Sequence, residues 1–449
     1  MLVAGCKSKQ SAGPFGSASV ARAGLVEAGA PVPAGDLHAL HFRYALAVFS
    51  TSGAKKVDAD AIVRASVEGK GIDVRTEIPK EPTDQRLLII QHPSVREYAP
   101  PSTHDLQYFA RGLSDEQKAM LPQATDVTVL LLGGPAADAV ATYPVAAEAA
   151  AALTRATGGA IYDDETRQAY GVGAWEKALE GWKDGGADVP RTTIIHEYRD
   201  GELLRLVTLG MAKYGLPDVS VNQVAAHDSN SMGTLINLVC QTLVEHGVVD
   251  TPGSLPVSIA AVRNARGRAS IGGDLRDGAT GQATVALAEA KRESGDADNR
   301  LVEITFPGPE NSLQERHNAM LSAIFGSHDS VAMVEDDALI QTASRRAKQV
   351  VLAYKPRYAH GAPPLEHLLV KGPFHRAHGG IEWMWVEVLR WEGSTIHGVL
   401  ENDPDDVPEL KAGARVDVRE ESIFDYIRVD VDGGKEGNET GRLIEAQQR

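Results

Sequence analysis

Three features of the chain predict an α+β fold with several sheets and helices packed on them. Residues 41–132 alternate short apolar runs with helical stretches in the order β-α-β-β-α-β, and residues 230–246 repeat apolar side chains at helical spacing between strand-like segments. Residues 383–400 read as a hairpin of aromatic and β-branched residues around a tight turn. At 449 residues the chain has room for two to three domains, each able to bury its own core. Hydrophobic residues make up 43%, which fits globular bodies better than a bundle of membrane-spanning helices.

The N-terminus opens Met-Leu-Val-Ala-Gly-Cys, and Val3-Ala4-Gly5-Cys6 is similar to the bacterial lipobox, in which small residues precede a cysteine that becomes lipidated. The stretch that follows is rich in Ser, Gly, Ala and Pro, so residues 1–35 are expected to be a lipobox-like terminus and flexible tether. A secretory signal needs roughly 7–15 apolar residues before its cleavage site. Only five residues precede Cys6, so lipidation there implies a longer precursor. The expected partner is then a membrane reached through a lipid anchor on Cys6, in the bacterial cell envelope and at the outer membrane where there are two. If Met1 is the true start, a cytoplasmic protein with a frayed terminus is the alternative.

Charge and cysteine content exclude other classes. The formal charge is −16, with 61 acidic against 45 basic residues, and no basic stripe is interleaved with aromatics. Such a surface repels phosphate backbones, so no nucleic-acid partner is expected. Two cysteines, Cys6 and Cys240, form no CxxC pair and no disulfide framework.

Residues 36–185 are expected to form a ferredoxin-like α/β sandwich. Strands are read at 41–49, 72–78, 86–91 and 127–132, with a helix at 58–67 capped by its acidic start and helical turns at 106–121, where Ser114 and Gln117 are spaced as a capping box. An Ala-rich helix at 143–157 should end at Gly158-Gly159. The segment Leu131-Leu132-Gly133-Gly134-Pro135 invites a phosphate-loop reading, but no Lys-Ser or Lys-Thr follows, and it is read as a strand-to-helix turn. Asp163, Asp164 and Glu165 beside Arg167 can be a metal or acid/base cluster, or a solvated helix start favoured by the helix dipole.

Residues 190–300 are expected to form a central α+β domain. Strands at 193–198 and 203–209 flank the turn at Asp200-Gly201, and the helix at 230–246 should bury Cys240 as a small hydrophobe. Strands at 257–262 and 283–289 bracket an arginine- and glycine-rich stretch, 263–281, read as an exposed mobile insertion in preference to a loop that contacts an acidic partner.

Residues 301–449 are expected to be a C-terminal domain. Ser312 and Glu315 form a capping box ahead of one helix, and residues 336–354 form a second with acidic residues first and basic residues last. Both should pack on a small twisted sheet or partly closed barrel built from 383–400, 416–418 and 423–427. The segments VKGPF, EWMWVEV, the turn from Ile396 to Asn402 and the pair Asp425-Tyr426 resemble the YegJ-like family of bacterial proteins over residues 336–441. That family is a domain of unknown function, so the resemblance implies a lineage and leaves the activity open. Similar domains occur near secreted-toxin systems, which implies an inhibitory or immunity-like role.

No residue is assigned to catalysis and no cofactor is expected. His375, His378 and Glu382 lie within eight residues and have the chemistry of zinc ligands, but no HExxH stands here and Gly379-Gly380 favours a loop between strands. Two readings follow. One is a non-catalytic, lipid-anchored binding protein that meets a protein or glycan through Trp383, Trp385, Trp391, Asn402 and Asp425. The other is a metal-dependent or other hydrolase using the loop from His375 to Glu382 or the cluster from Asp163 to Glu165. Period-two spacing puts the three tryptophans on one strand face, and a bulge near Leu389 would separate Trp391 and leave it as the exposed one.

Overall fold

The computed structural model describes residues 28–447, except 52–56, 82, 104, 107–109, 111, 185, 201–202, 226–227, 274, 276–278, 309–311, 327–337, 364–365, 376–380, 402–403, 405–406, 408 and 431–433. Its backbone is mixed α+β, organised on three six-stranded sheets. Among the described residues no helix is long and apolar enough to cross a membrane.

The first body contains β1 (His41–Ser50), α1 (Ala59–Val67), β2 (Asp73–Arg75), β3 (Leu87–Gln91), α2 (Asp115–Met120), β4 (Asp126–Pro135), α3 (Ala139–Thr157), β5 (Ala160–Asp163), β6 (Gln168–Tyr170) and α4 (Val172–Leu179). The strand order is β2-β3-β4-β1-β5-β6, antiparallel except for the parallel β2/β3 pair. α1 and α3 lie on one face, where Val63, Val67, Tyr143 and Ala146 pack on Phe42, Tyr44, Leu46 and Leu130. The other face buries Ala47, Phe49, Val129 and Leu131 under Tyr98, Leu106 and Leu121. Burial on both faces is why β1 and β4 read as continuous apolar runs. Asp58 caps α1 by accepting from the Ala61 N–H, Ser114 and Gln117 form the capping box of α2, and Gly158 ends α3 in the left-handed conformation at φ 71.

Gly133 and Gly134 do not form the expected turn. They continue β4, opposite Arg43 and Phe42, and a Cβ on Gly134 would stand 3.2 Å from the Arg86 Cα. Close backbone approach, rather than a change of direction, explains the glycine there.

The second body contains α5 (Val189–Thr192), β7 (Ile194–Asp200), β8 (Leu203–Leu209), β9 (Asp218–Val224), α6 (Ser229–His246), β10 (Ser254–Ser258), α7 (Ala265–Gly272), β11 (Gln282–Glu289), β12 (Leu301–Thr305) and α8 (Leu313–Phe325). The order is β10-β11-β12-β9-β8-β7, with a parallel β9/β12 pair. α6 supplies Met232, Leu235, Ile236, Val239 and buried Cys240 to the core beneath it. Two expectations are corrected. The first part of the arginine-rich stretch forms a helix: Asn264 caps α7 by accepting from the Gly267 N–H, Ile271 is buried, and Arg266 pairs with Glu180 at 3.1 Å, while residues 274 and 276–278 lie outside the described residues. β12 and α8 also belong to this body, since Leu321, Ile324 and Phe325 join its core, so the second body runs past the expected boundary at residue 300.

The third body contains α9 (Ala338–Val351), α10 (Lys355–Tyr358), β13 (His367–His375), β14 (Ile381–Glu392), β15 (Thr395–Leu400), β16 (Arg415–Arg419), β17 (Asp425–Val429), β18 (Lys435–Gly437) and α11 (Glu439–Gln447). The antiparallel order is β16-β15-β14-β13-β17-β18. It is an open sheet, not a barrel: β16 and β18 are edges with no pairing between them among the described residues. The sheet nevertheless coils, bringing Val418 of β16 over β13, where a Cβ on Gly372 would stand 2.9 Å from its side chain. α9 and α10 cover one face, burying Ala347, Val351 and Tyr358 against Leu368, Val370, Met384 and Val386.

Candidate functional site on the C-terminal sheet

β13 is flanked by β14 and β17, and the register sets Lys371 opposite Trp385 on one side and opposite Asp425 on the other. Directly opposed residues project to the same face. Lys371, Trp385 and Asp425 therefore share the face away from Val370 and Met384, the residues packed under the helices. Three motif segments meet here: VKGPF and EWMWVEV from consecutive paired strands, and Asp425-Tyr426 from a later one.

The chemistry centres on Lys371, which is 7% exposed. Its ammonium lies 5.5 Å from the centre of the Trp385 ring, within cation–π range. The ammonium pairs with no described side chain and keeps some contact with solvent. Burial pulls its pKa below the ordinary lysine value, against the opposing charge of Asp425. Asp425 is itself engaged: it accepts from the Tyr426 N–H at 2.8 Å and from the Thr440 N–H and hydroxyl at the start of α11. Farther along the face, His367 Nδ1 meets Glu387 at 2.8 Å, and Trp383 packs on Phe424 at a ring distance of 4.5 Å beside Ile340 and Leu443.

The expected site residues separate. Trp383 is half-buried and Trp385 buried on the Lys371 face. A bulge between Val388 and Arg390 does split Trp391 from them, but it turns Trp391 inward to 2% exposure, where its indole N–H donates to Glu420 at 3.1 Å. The expectation that Trp391 is the exposed tryptophan is corrected, because after the extra residue it pairs with buried Ile396. His375 and Glu382 do not converge. Glu382 pairs with Phe374, so the neighbouring His375, exposed at the strand end, projects to the opposite face. No group of His, Cys, Asp and Glu among the described residues is placed to hold a metal. Cys6, His378 and Asn402 lie outside the described residues.

The carboxylate cluster is a strand turn rather than a helix start. Asp163 ends β5, is 1% exposed, and accepts from the Glu165 and Thr166 N–H groups. It also receives the fully buried Lys213 ammonium at 2.6 Å. Half-buried Glu165 is held well above the usual carboxylate range by desolvation and then by Asp164 and Asp163. Cys240 is inert by placement, since burial pushes its thiol up.

Lys371 is the residue that motif reading missed. Its signal is a single lysine inside the apolar run Leu368-Leu369-Val370-Lys371, where alternation makes it share a face with Leu369 rather than with solvent.

Residues 337–444 match a family model described as an uncharacterized protein conserved in bacteria, DUF2314. The match spans the third body from the start of α9 into α11. No curated protein matches the chain, and no solved structure does.

Proposed function

We propose that the chain is a non-catalytic binding protein of the bacterial cell envelope, held to the membrane by lipid on Cys6, and that its C-terminal sheet meets a protein or glycan partner. The observation that carries the reading is the convergence of three motif segments on one face around Lys371, whose ammonium stands over the Trp385 ring. Trp supplies large contact area and is over-represented among binding hot spots, and Trp383 and Trp385 lie on this face. The finer placement in the YegJ-like family, with its immunity-like role, rests on the same segments. The order β3-β4-β1-β5 with α1 and α3 on one face supports a ferredoxin-like reading of the first body.

Hydrolysis finds less support. His375 and Glu382 project to opposite faces, and the Asp163 carboxylate is engaged by Lys213 and by the turn it caps. Ile381 is 39% exposed and shares the strand face of Trp383 and Trp385. A photoreactive residue placed at 381 in intact cells should give a discrete adduct, lost on Trp383→Ala with the fold retained. A chain that gives no adduct at any growth stage would remove the reading. For the anchor, Cys6→Ala should move the protein from the membrane fraction to the soluble one.

A further inference from the structure

We infer that Glu165 of the first body and Asp218 of the second form a proton-gated latch where the two bodies meet, closed while these carboxyls are protonated and loosened as they ionise. The latch is independent of the C-terminal sheet and of the binding reading above.

The latch is built from two turns that touch. Asp163 folds the turn after β5 by accepting from the Glu165 and Thr166 N–H groups. That turn rests on the loop between β8 and β9, where a Cβ on Gly210 would stand 2.9 Å from the Thr166 methyl and 3.2 Å from Lys213 Cε. Gly210 has φ 113, a conformation that glycine adopts without strain. The next residue, Met211, donates its N–H to Asp218 at the start of β9. Gly210 and Met211, neighbours in the chain, therefore hold the turn of Glu165 and the Asp218 carboxyl to one loop. The titratable groups facing Glu165 are Asp163 and Asp164 in its own turn, Tyr44 of β1, Tyr98, and Lys213 and Asp218 of the second body. Asp218 also faces Lys213 and Cys240. Lys213 faces both carboxyls, but its ammonium is committed to Asp163 at 2.6 Å and to the Thr192 carbonyl. Two further negative charges in this place have no cation of their own. Desolvation accordingly raises both groups, Asp218 to about 6 and Glu165 well above the carboxylate range, with Asp164, Asp163 and Asp218 adding to the rise at Glu165. Parting the turns readmits water and returns the carboxyls toward ordinary values, so the closed junction binds protons more tightly than the open one. Closure is favoured at low pH and weakens as pH rises through about 6 for Asp218 and higher for Glu165.

The test uses the full chain labelled with fluorinated tryptophan. Trp182 is the reporter, assigned by Trp182→Phe, because its ring packs on Tyr143 of the first body and Tyr214 of the second. Its solvent isotope shift between light and heavy water should rise about twofold from pH 5 to pH 9 as the junction opens. Trp175, 2% exposed inside the first body, should hold its value over the same range. Glu165→Gln, which keeps the shape of the protonated acid, should remove at least half of the rise, and the double change with Asp218→Asn should remove all of it. A wild-type Trp182 shift that stays level from pH 5 to pH 9 overturns the inference whether or not the variants fold. So does a Glu165→Gln chain that responds like the wild type, and so does an equal rise at Trp175, which would mean that the first body loosens throughout.

Discussion

Gly398 pairs with Val388 beside the bulge in β14, and a Cβ built on it would lie 2.3 Å from the Glu387 carbonyl oxygen and 2.5 Å from Val386 Cγ1. The nearest obstacle is backbone, so the strand must move rather than a rotamer. Gly398→Ala should cost about 1–3 kcal/mol, the usual range for overpacking, and Gly398→Val should cost at least as much. An unchanged denaturant midpoint for Gly398→Val would show that the sheet yields there. A second residue couples folding to pH. Asp218 is 1% exposed and accepts from the Thr208 hydroxyl at 2.8 Å, Asn299 Nδ2 at 2.8 Å and the Met211 N–H at 3.3 Å. Desolvation outweighs these bonds and raises its pKa to about 6. The folded state therefore binds the proton more tightly than the unfolded chain. That contribution is fully present below the unfolded carboxylate value near 4 and is lost as pH rises through about 6. The stability advantage of the wild type over Asp218→Asn should shrink by roughly 2 kcal/mol between pH 4 and pH 6. A gap that widens over that range contradicts the burial argument.

At the scale of one element, β14 decides how the aromatic residues are used. Its even positions from Met384 to Val388 enter the core, its odd positions Trp383, Trp385 and Glu387 form the candidate site, and the bulge then moves Trp391 to the core side. Trp391→Ala should cost about 3–5 kcal/mol, as expected for a large buried aromatic, and should not behave as a silent surface change. A melt indistinguishable from wild type would mean that the pocket collapses around the loss. The bulge is legible in the sequence because strict alternation would strand either Trp391 or Val388. The direction in which it sends Trp391 depends on Ile396 across the ladder, which no local pattern contains. The same division holds elsewhere. The capping boxes at Ser114 and Ser312 follow from spacing alone and form as read. The roles of Gly133-Gly134 and of the Asp163 turn are not legible locally, because they are set by Arg86 and Lys213, which approach from other segments. Strand pairing with distant partners also places β12 in the second body and leaves the third sheet open.

At the scale of the whole molecule, the first two bodies share a junction. The Lys213 ammonium comes from the turn between β8 and β9, meets Asp163 of β5 at 2.6 Å, donates to the Thr192 carbonyl of α5, and lies 5.1 Å from the Tyr143 ring of α3. Around it, the Trp182 ring stands 5.3 Å from Tyr143 and 6.2 Å from Tyr214, so aromatic packing is continuous across the two bodies. The third body touches the second through an exposed pair, Lys411 and Glu315 at 3.6 Å, of a kind that contributes little. Removing one member of a buried ion pair leaves the other charge uncompensated. Lys213→Met should therefore cost about 3–5 kcal/mol, and the double change Lys213→Met with Asp163→Leu should recover part of it. Hydrogen exchange in Lys213→Met should accelerate together in β1, β5, β8 and β9, because the junction belongs to both cores, and leave β13 and β14 at wild-type rates. Acceleration confined to the second body would mean that the two cores open independently and that the Lys213–Asp163 pair does not couple them.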